Sequence, residues 1–278
     1  MAIIDFKDKA IIITGASAGV GAAAARAFAK LGANLMLVAR GEEALSKISD
    51  ELSNLTDVVT LAMDVADESA CSNLVKSTVD EFGAIHCLIN NAGMHRRGNV
   101  EERSAGDLAA MVDINLRAPL YLTAAALPYL TQANGAAIVN VGSLAGRMPM
   151  QGAATYAATK AGLRSFTYGL ADELREQNIA VGVVSPGPID TGFIMDEIDQ
   201  VEDIVYSQPM STAVQVADAI VELARGKDIE IAMPAVSGKL TTLSYLFPKL
   251  RRGSRKRLYA MGRKNKEKYR QRNANAVS

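Results

Sequence analysis

The chain is poor in the residues that build disulfide and metal scaffolds. Its two cysteines, Cys71 and Cys87, allow no disulfide framework and have no metal-ligand spacing; they read as reduced core thiols. Two histidines, His86 and His95, argue against a histidine-based metal site. No run of about 18 apolar residues occurs, so no segment is expected to span a bilayer. Asp5, Lys7, Asp8 and Lys9 stand where a signal segment would be basic and then apolar, and the expected location is cytoplasmic. Internal repeats are lacking, as is any linker before about residue 235. What remains is ordinary: 278 residues, 49% apolar and 22% charged, enough for one large α/β domain or two small ones with a sizeable core.

The chain also lacks net charge, but only as a sum. Residues 239–278 hold 13 Lys/Arg against one acid, Glu267, whereas residues 1–238 hold 17 against 29 acids. A basic C-terminal extension (239–278) therefore follows an acidic body (1–238).

Within the body, short apolar runs alternate with helical patterns. Residues 10–14 (Ala-Ile-Ile-Ile-Thr) fit a strand buried on both faces. Gly15-Ala16-Ser17-Ala18-Gly19-Val20-Gly21 follows, then an alanine-rich helix from Ala22 to Leu31 and a strand over Leu35–Ala39. A glycine turn between strand and helix lets the backbone approach a pyrophosphate, and the helix N-terminus favours its charge. The second strand ends in Ala39-Arg40, without the acid that would bind a ribose 2′-hydroxyl. A guanidinium there suits a 2′-phosphate, so the pair favours NADP(H) over NAD(H). Arg40 as a solvated helix-start residue is the alternative.

The alternation continues with helices near Glu42–Leu52 and Glu68–Phe82 and strands near Val58–Asp64 and Cys87–Ile89. Helical patterns cover Ala105–Asn115 and Pro119–Leu130, and Ala136–Val141 is a strand. A helix over Ala153–Glu176, a strand over Ile179–Ser185, a helix from Ser211 to Arg225 and a last strand near Glu230–Met233 complete the body. This order predicts an α/β fold with a doubly wound, Rossmann-like parallel sheet and ligands at the carboxyl ends of its strands.

Tyr156-Ala157-Ala158-Thr159-Lys160 sets a phenol and an ammonium one helical turn apart on one face. A neighbouring cation favours phenolate, which suits proton exchange with an alcohol or carbonyl oxygen. Taken alone, the pattern also fits a polar helix edge.

Together these residues resemble the classical short-chain dehydrogenase/reductase family over roughly residues 5–235. The resemblance rests on Thr14-Gly15-x-x-x-Gly19-x-Gly21, Asp64-Val65, Asn90-Asn91-Ala92-Gly93, Asn115, Ser143, Tyr156-x-x-x-Lys160 and Pro186-Gly187, in that order. It implies a catalytic set: Tyr156 as general acid/base, Lys160 lowering the phenol's pKa and holding the nicotinamide ribose, Ser143 orienting the substrate oxygen, and Asn115 supporting a water relay through Lys160. It implies cofactor contacts from Gly15, Ser17, Gly19, Val20 and Gly21 in the first turn and from Arg40 beyond the second strand. Asp64 and Val65 would face the adenine, and Asn91, Ala92 and Gly93 would line the adenosine side. Pro186, Gly187, Ile189 and Thr191 would flank the nicotinamide. Two positions depart from the family. Ala18 replaces a basic residue that often joins in holding a 2′-phosphate, and His86 stands where an acid is usual. His86 reads as structural or surface, and His95 with Arg96 and Arg97 as a solvated loop, with a place at the rim of the site as the alternative.

The implied activity is NADP(H)-dependent hydride transfer between nicotinamide and a carbonyl or secondary alcohol. A catalytically silent NADP(H) sensor or scaffold is the rival, but it would be expected to lose Tyr156, Lys160 or Ser143. Gly192–Tyr206 corresponds to the family's mobile substrate loop. Its apolar residues, with Met148 and Met150, suit a lipophilic substrate, though packing of an amphipathic lid explains them equally. The family often forms homodimers or homotetramers. For the extension, three readings stay open: contact with an anionic membrane through apolar residues 240–250 and the basic run after them, docking on an acidic face, or nucleic-acid binding, which no aromatic interleaving supports.

Overall fold

The computed structural model describes residues 5–133 and 135–277, with side chains through residue 272. Residues 1–4 and 134 of the expected body, and Ser278 of the expected extension, lie outside the described residues. The elements run β1 (Ala10–Thr14), α1 (Gly19–Ala29), β2 (Asn34–Ala39), α2 (Glu42–Leu52), β3 (Val58–Ala62), α3 (Glu68–Phe82) and β4 (Cys87–Asn90). Then come α4 (Ala105–Val112), α5 (Ala118–Gln132), β5 (Ala136–Val141), α6 (Ala154–Glu173) and β6 (Ile179–Pro186). Last are α7 (Gly192–Met195), α8 (Ala213–Ala224), β7 (Glu230–Met233), α9 (Ala235–Leu246) and α10 (Pro248–Val277).

The strands form one parallel sheet in the order β3-β2-β1-β4-β5-β6-β7. Ile13 is in register with Leu37 on one side and Ile89 on the other, so the order reverses beside β1. The carboxyl ends of β1 and β4 therefore open a crevice where such sheets bind ligands. All five residues of β1 are buried, as strands covered on both faces require. One apolar layer packs α1 and α8 on the sheet through Phe28, Ile220 and Leu223. The other brings Leu74 of α3, Leu122 of α5 and Leu170 of α6 to the opposite face. The small side chains of Ala22–Ala25, all buried, let α1 lie close. Cys71 and Cys87 are free and buried, as read, and His86 Nδ1 accepts from the Ala10 amide, a structural role.

Three boundaries differ from the sequence reading. α1 begins at Gly19, not Ala22, so the last glycines of the turn form the helix's first turn. The two helical patterns around Asn115 are one continuous run, joined by a π-helical turn over Asp113–Arg117. The expected boundary at residue 239 falls inside α9, and α10 lies across the 3-10 turn Asp203–Ser207.

Chemistry fixes that last contact. Lys266 is only 6% exposed; its ammonium donates to Val201 O at 2.7 Å and sits 3.4 Å from Asp203. Asn265 donates to Tyr206 O, Arg263 pairs with Asp203, and Arg270 pairs with Asp199. Arg272 forms two 2.7 Å hydrogen bonds with Asp190. Gly262 allows the approach: a Cβ there would stand 1.8 Å from Asp203 O. Tyr206 and Tyr269 complete an apolar cluster with Ile194 and Val201, so these loop residues are occupied by packing.

Candidate active site

The singled-out residues come from the loops at the carboxyl ends of β1 to β6, from the π-helical turn at Asn115 and from α6. Gly15 and Gly19 have φ of +66° and +54°, values natural to glycine. A Cβ on Gly15 would meet Asn91 Nδ2 at 2.9 Å, and one on Gly21 would stand 2.1 Å from Gly15 O. The glycines therefore close a cradle that no side chain fits. Asn91 holds it from β4, donating to Thr14 O at 2.8 Å and Gly15 O at 3.1 Å. Thr14 Oγ1 accepts from the Asn91 and Ala92 amides. Ala18 supplies no side-chain cap to α1, which leaves the amides at its start unmatched within the helix, as a pyrophosphate requires. Ser17 and Val20 are half-buried in the same turn.

Around this cradle, Arg40 is exposed at the end of β2 and forms no ion pair among the described residues. Asp64 accepts from the Ala66 amide in a tight turn and is exposed, with Val65 buried behind it. Pro186 ends β6, and Gly187 N donates to Met233 O. Ile189 bridges to Ser211, and Thr191 Cγ2 would lie 3.6 Å from a Cβ on Gly19, so the loop after β6 closes over the glycine turn.

The second group gathers where β4 and β5 end. Ser143 Oγ accepts from the Ala145 amide at 3.1 Å, which leaves its own proton free to donate. Burial pushes the Tyr156 phenol above its ordinary value, while the nearby Ser143 hydroxyl and the Arg97 charge pull it back. Lys160, 4% exposed, donates to Val141 O at 2.7 Å and lies 5.9 Å from the Tyr156 ring centre. Burial lowers its pKa to about 8. The net shift of the phenol is thus upward, opposite to what a neighbouring ammonium alone would produce.

Asn115 sits in the π-helical turn, fully buried, and is not a helix cap. Such turns often mark functional sites. Its carboxamide accepts from Met94 N and donates to Met94 O, both at 2.8 Å, and donates to Thr159. Asn115 Oδ1 and Lys160 Nζ approach Gly93 closely: a Cβ there would meet them at 3.3 and 3.5 Å.

In the loop after Gly93 the structure departs from the solvated reading. His95 and Arg97 are not solvated. The His95 ring stacks on Tyr156 at 4.2 Å and 16°. The Arg97 side chain, 9% exposed, reaches Glu197 at 2.9 Å, Phe193 O at 2.7 Å and His95 Nδ1 at 2.9 Å. Burial and the charges of Arg97 and Arg103 lower the His95 pKa to about 3. The available signal was position: these residues follow β4 directly, at the ligand-binding edge of a parallel sheet. Arg96 is the exposed member, paired with Asp107.

Among the described residues, no group of acids, histidines and cysteines is placed to hold a metal, and no helix is long and apolar enough to cross a membrane.

Comparison with known proteins gives the family and the fold. The model of the short chain dehydrogenase family matches residues 9–202. A sulfoacetaldehyde reductase of Chromohalobacter salexigens is 37% identical over 187 residues, 66% of this chain and 74% of its own. An uncharacterized oxidoreductase of Staphylococcus epidermidis is 34% identical over 185 residues, 66% of this chain and 80% of its own. The crystal structure of levodione reductase superposes with a TM-score of 0.77 at 24% identity, covering 84% of this chain and 99% of that one, a likeness of fold. The chain is an oxidoreductase of the short-chain dehydrogenase family.

Proposed function

We propose that this protein transfers a hydride between NADP(H) and a carbonyl or secondary alcohol, with Tyr156 as general acid/base. The observation that carries the reading is the convergence of Tyr156, Ser143 and Lys160 beside a glycine cradle closed to any Cβ. That cradle fits a dinucleotide: its glycines and the first amides of α1 would hold the pyrophosphate, and Arg40 would take the 2′-phosphate. Asp64, Val65, Asn91, Ala92 and Gly93 would face the adenosine half, and Pro186, Gly187, Ile189 and Thr191 the nicotinamide half. The nicotinamide supplies the hydride.

The chain's own residues supply orientation and a proton. In reduction, Tyr156, held protonated by burial, gives its proton to the carbonyl oxygen while Ser143 Oγ–H donates to the same atom. Lys160 spends one N–H on Val141 O and keeps two for Tyr156 and the nicotinamide ribose. Asn115 retains one Oδ1 lone pair for a water that would return the proton through Lys160.

The test is a fluorescence titration with NADPH and NADH beside steady-state reduction of ketones of rising chain length. NADPH should bind more tightly, and Arg40→Ala should weaken NADPH roughly 10- to 100-fold while leaving NADH little changed. Tight binding with no turnover on any carbonyl would turn the reading to a silent nucleotide sensor. The same series tests a lipophilic substrate, which Met148, Met150 and the 46%-exposed Phe193 support; faster turnover of short polar ketones would end it.

Two partner assignments belong to this reading. Assembly as a homodimer or homotetramer through α6 is tested by light scattering; a monomer at micromolar concentration refutes it. Contact with an anionic membrane is supported at the α9–α10 elbow. There Leu240, Leu246, Phe247 and Leu250 are each more than half exposed, beside exposed Lys239, Lys249, Arg252 and Lys256. Leu246→Asp with Phe247→Asp should abolish sedimentation with phosphatidylserine vesicles; unchanged sedimentation, or none by the wild type, rejects the contact.

A further inference from the structure

Arg97 directs its guanidinium fork at three separate parts of the site. Its Nε donates to Glu197 at 2.9 Å, one terminal nitrogen donates to Phe193 O at 2.7 Å, and the other donates to His95 Nδ1 at 2.9 Å. Phe193 and Glu197 lie 96 and 100 positions away in sequence, in and just after α7. The His95 ring in turn lies flat on Tyr156, at 4.2 Å and 16°. One hydrogen bond and one ring stack therefore separate the guanidinium from the proposed acid/base. The loop is held from behind as well, because Asn115 clamps Met94 through both of its backbone polar groups. A planar fork can span three such acceptors; a lysine ammonium, a point charge, would not hold the same geometry.

A charge held this close matters most where Lys160 gives out. The Lys160 pKa is lowered to about 8, so at alkaline pH that ammonium becomes neutral. A guanidinium keeps its charge throughout, and Arg97 draws the Tyr156 phenol down from where burial puts it. The other polar groups beside the phenol are Ser143, from the loop after β5, and the His95 ring, kept neutral by burial and by the charges of Arg97 and Arg103. Glu197 and Tyr206 face Arg97 from the segment after β6, and the Glu197 carboxylate, its side chain 43% exposed, offsets part of the Arg97 charge. We infer that Arg97 is a positioning residue of the proposed reaction: it seats His95 on Tyr156, ties that seat to the Gly192–Tyr206 segment, and sets its charge, opposed by Glu197, beside the phenol. This rests on the Tyr156-centred reading above and adds a second cation to that site.

The test is the pH profile of alcohol oxidation by the full-length protein, with hexan-2-ol and saturating NADP+ as probes. Oxidation needs the phenolate, so kcat rises with pH through the Tyr156 pKa. Removing a cation raises that pKa and removing an anion lowers it. Arg97→Met should therefore move the midpoint of the rise up by about one pH unit. Glu197→Gln keeps an acceptor for Arg97 but not the charge, and should move the midpoint down by about half a unit. Arg97→Lys keeps the charge without the fork; its midpoint should lie nearer the wild type, with kcat still roughly tenfold lower. Lys160 is present in every variant, so its own titration cancels from the comparison. Loosened packing would lower kcat without driving the two midpoints apart. Midpoints that stay put, or that move the same way in Arg97→Met and Glu197→Gln, would overturn the inference and leave the oxidoreductase reading intact. An Arg97→Lys midpoint as high as that of Arg97→Met would overturn it too, by assigning the effect to shape. Should Arg97→Met not fold, Glu197→Gln decides alone: no downward shift, no role for the charge. No turnover of hexan-2-ol by the wild type, with NADP+ bound, would overturn the Tyr156-centred reading and this assignment with it.

Discussion

Tyr156 is half-buried and Lys160 buried, and desolvation moves them in opposite directions: the phenol up, the ammonium down to about 8. Tyr156→Phe removes the proton but not the packing, and should lower kcat by about 10²- to 10⁴-fold with nucleotide affinity unchanged in a fluorescence titration. Lys160 permits a sign test. Its pKa in the fold lies below the ordinary lysine value, so between about pH 8 and 10.5 the unfolded chain binds the extra proton and stability rises with pH. Below pH 8 both states are charged and the burial cost is constant. Urea unfolding should therefore show wild type gaining on Lys160→Met as pH goes from 8 to 10, by an amount on the order of 2–3 kcal/mol. A difference flat with pH would mean the ammonium is not desolvated. At this scale the motif residues were legible because each is local to a strand end or a helix turn. The Arg97–Glu197 pair was not: its partners are 100 positions apart, and nothing local in His95-Arg96-Arg97 distinguishes a solvated loop from a packed one.

Among elements, α10 was the least legible. Its sequence leaves membrane contact, docking on an acidic face and nucleic-acid binding open, and its docking depends on Lys266 finding Val201 O, 65 positions away. The contacts are unequal. Arg263 and Arg270 are 78% and 43% exposed, and exposed pairs are worth about 0–1 kcal/mol. Lys266 is buried, and its removal leaves Val201 O without its donor and Asp203 with only the exposed Arg263. Lys266→Ala should therefore expose the Gly192–Tyr206 segment to limited proteolysis, with Arg270→Ala close to wild type. Equal cleavage of both variants would assign the contact to diffuse charge instead. The π-helical turn at Asp113–Arg117 was hidden for a related reason. A helical pattern constrains periodicity to within a residue, and the one-residue offset that turns Asn115 inward leaves the flanking apolar faces in place.

For the whole molecule, alternating strands and helices fixed the sheet, because parallel strands need crossovers and crossovers have one favoured hand. The last strand is held by more than its ladder. Glu230 of β7, with its side chain 5% exposed, accepts from Arg164, Ser185 and Tyr168 and pairs with Arg147. Burial raises its pKa, but hydrogen bonds from Arg164, Ser185 and Tyr168 outweigh this, and the carboxyl sits below its usual range. That stabilisation is present above the ordinary carboxylate pKa and is lost as pH falls through the lowered one. Glu230→Ala should cost about 3–5 kcal/mol in chemical denaturation at pH 7, since two guanidinium groups lose their shared counter-charge. A cost below about 1 kcal/mol would place the cluster in solvent-screened territory.

Arg272 grips Asp190, and the neighbouring Thr191 lies against Gly19 of the glycine turn. The C-terminal helix thus touches the loop that would cover the proposed dinucleotide cradle. On the proposed reading, an ion pair between residues 82 positions apart would join the tail to the cover of the nucleotide. On that reading the tail would bear on how long a nucleotide stays bound, as one surface contact among those that close the loop.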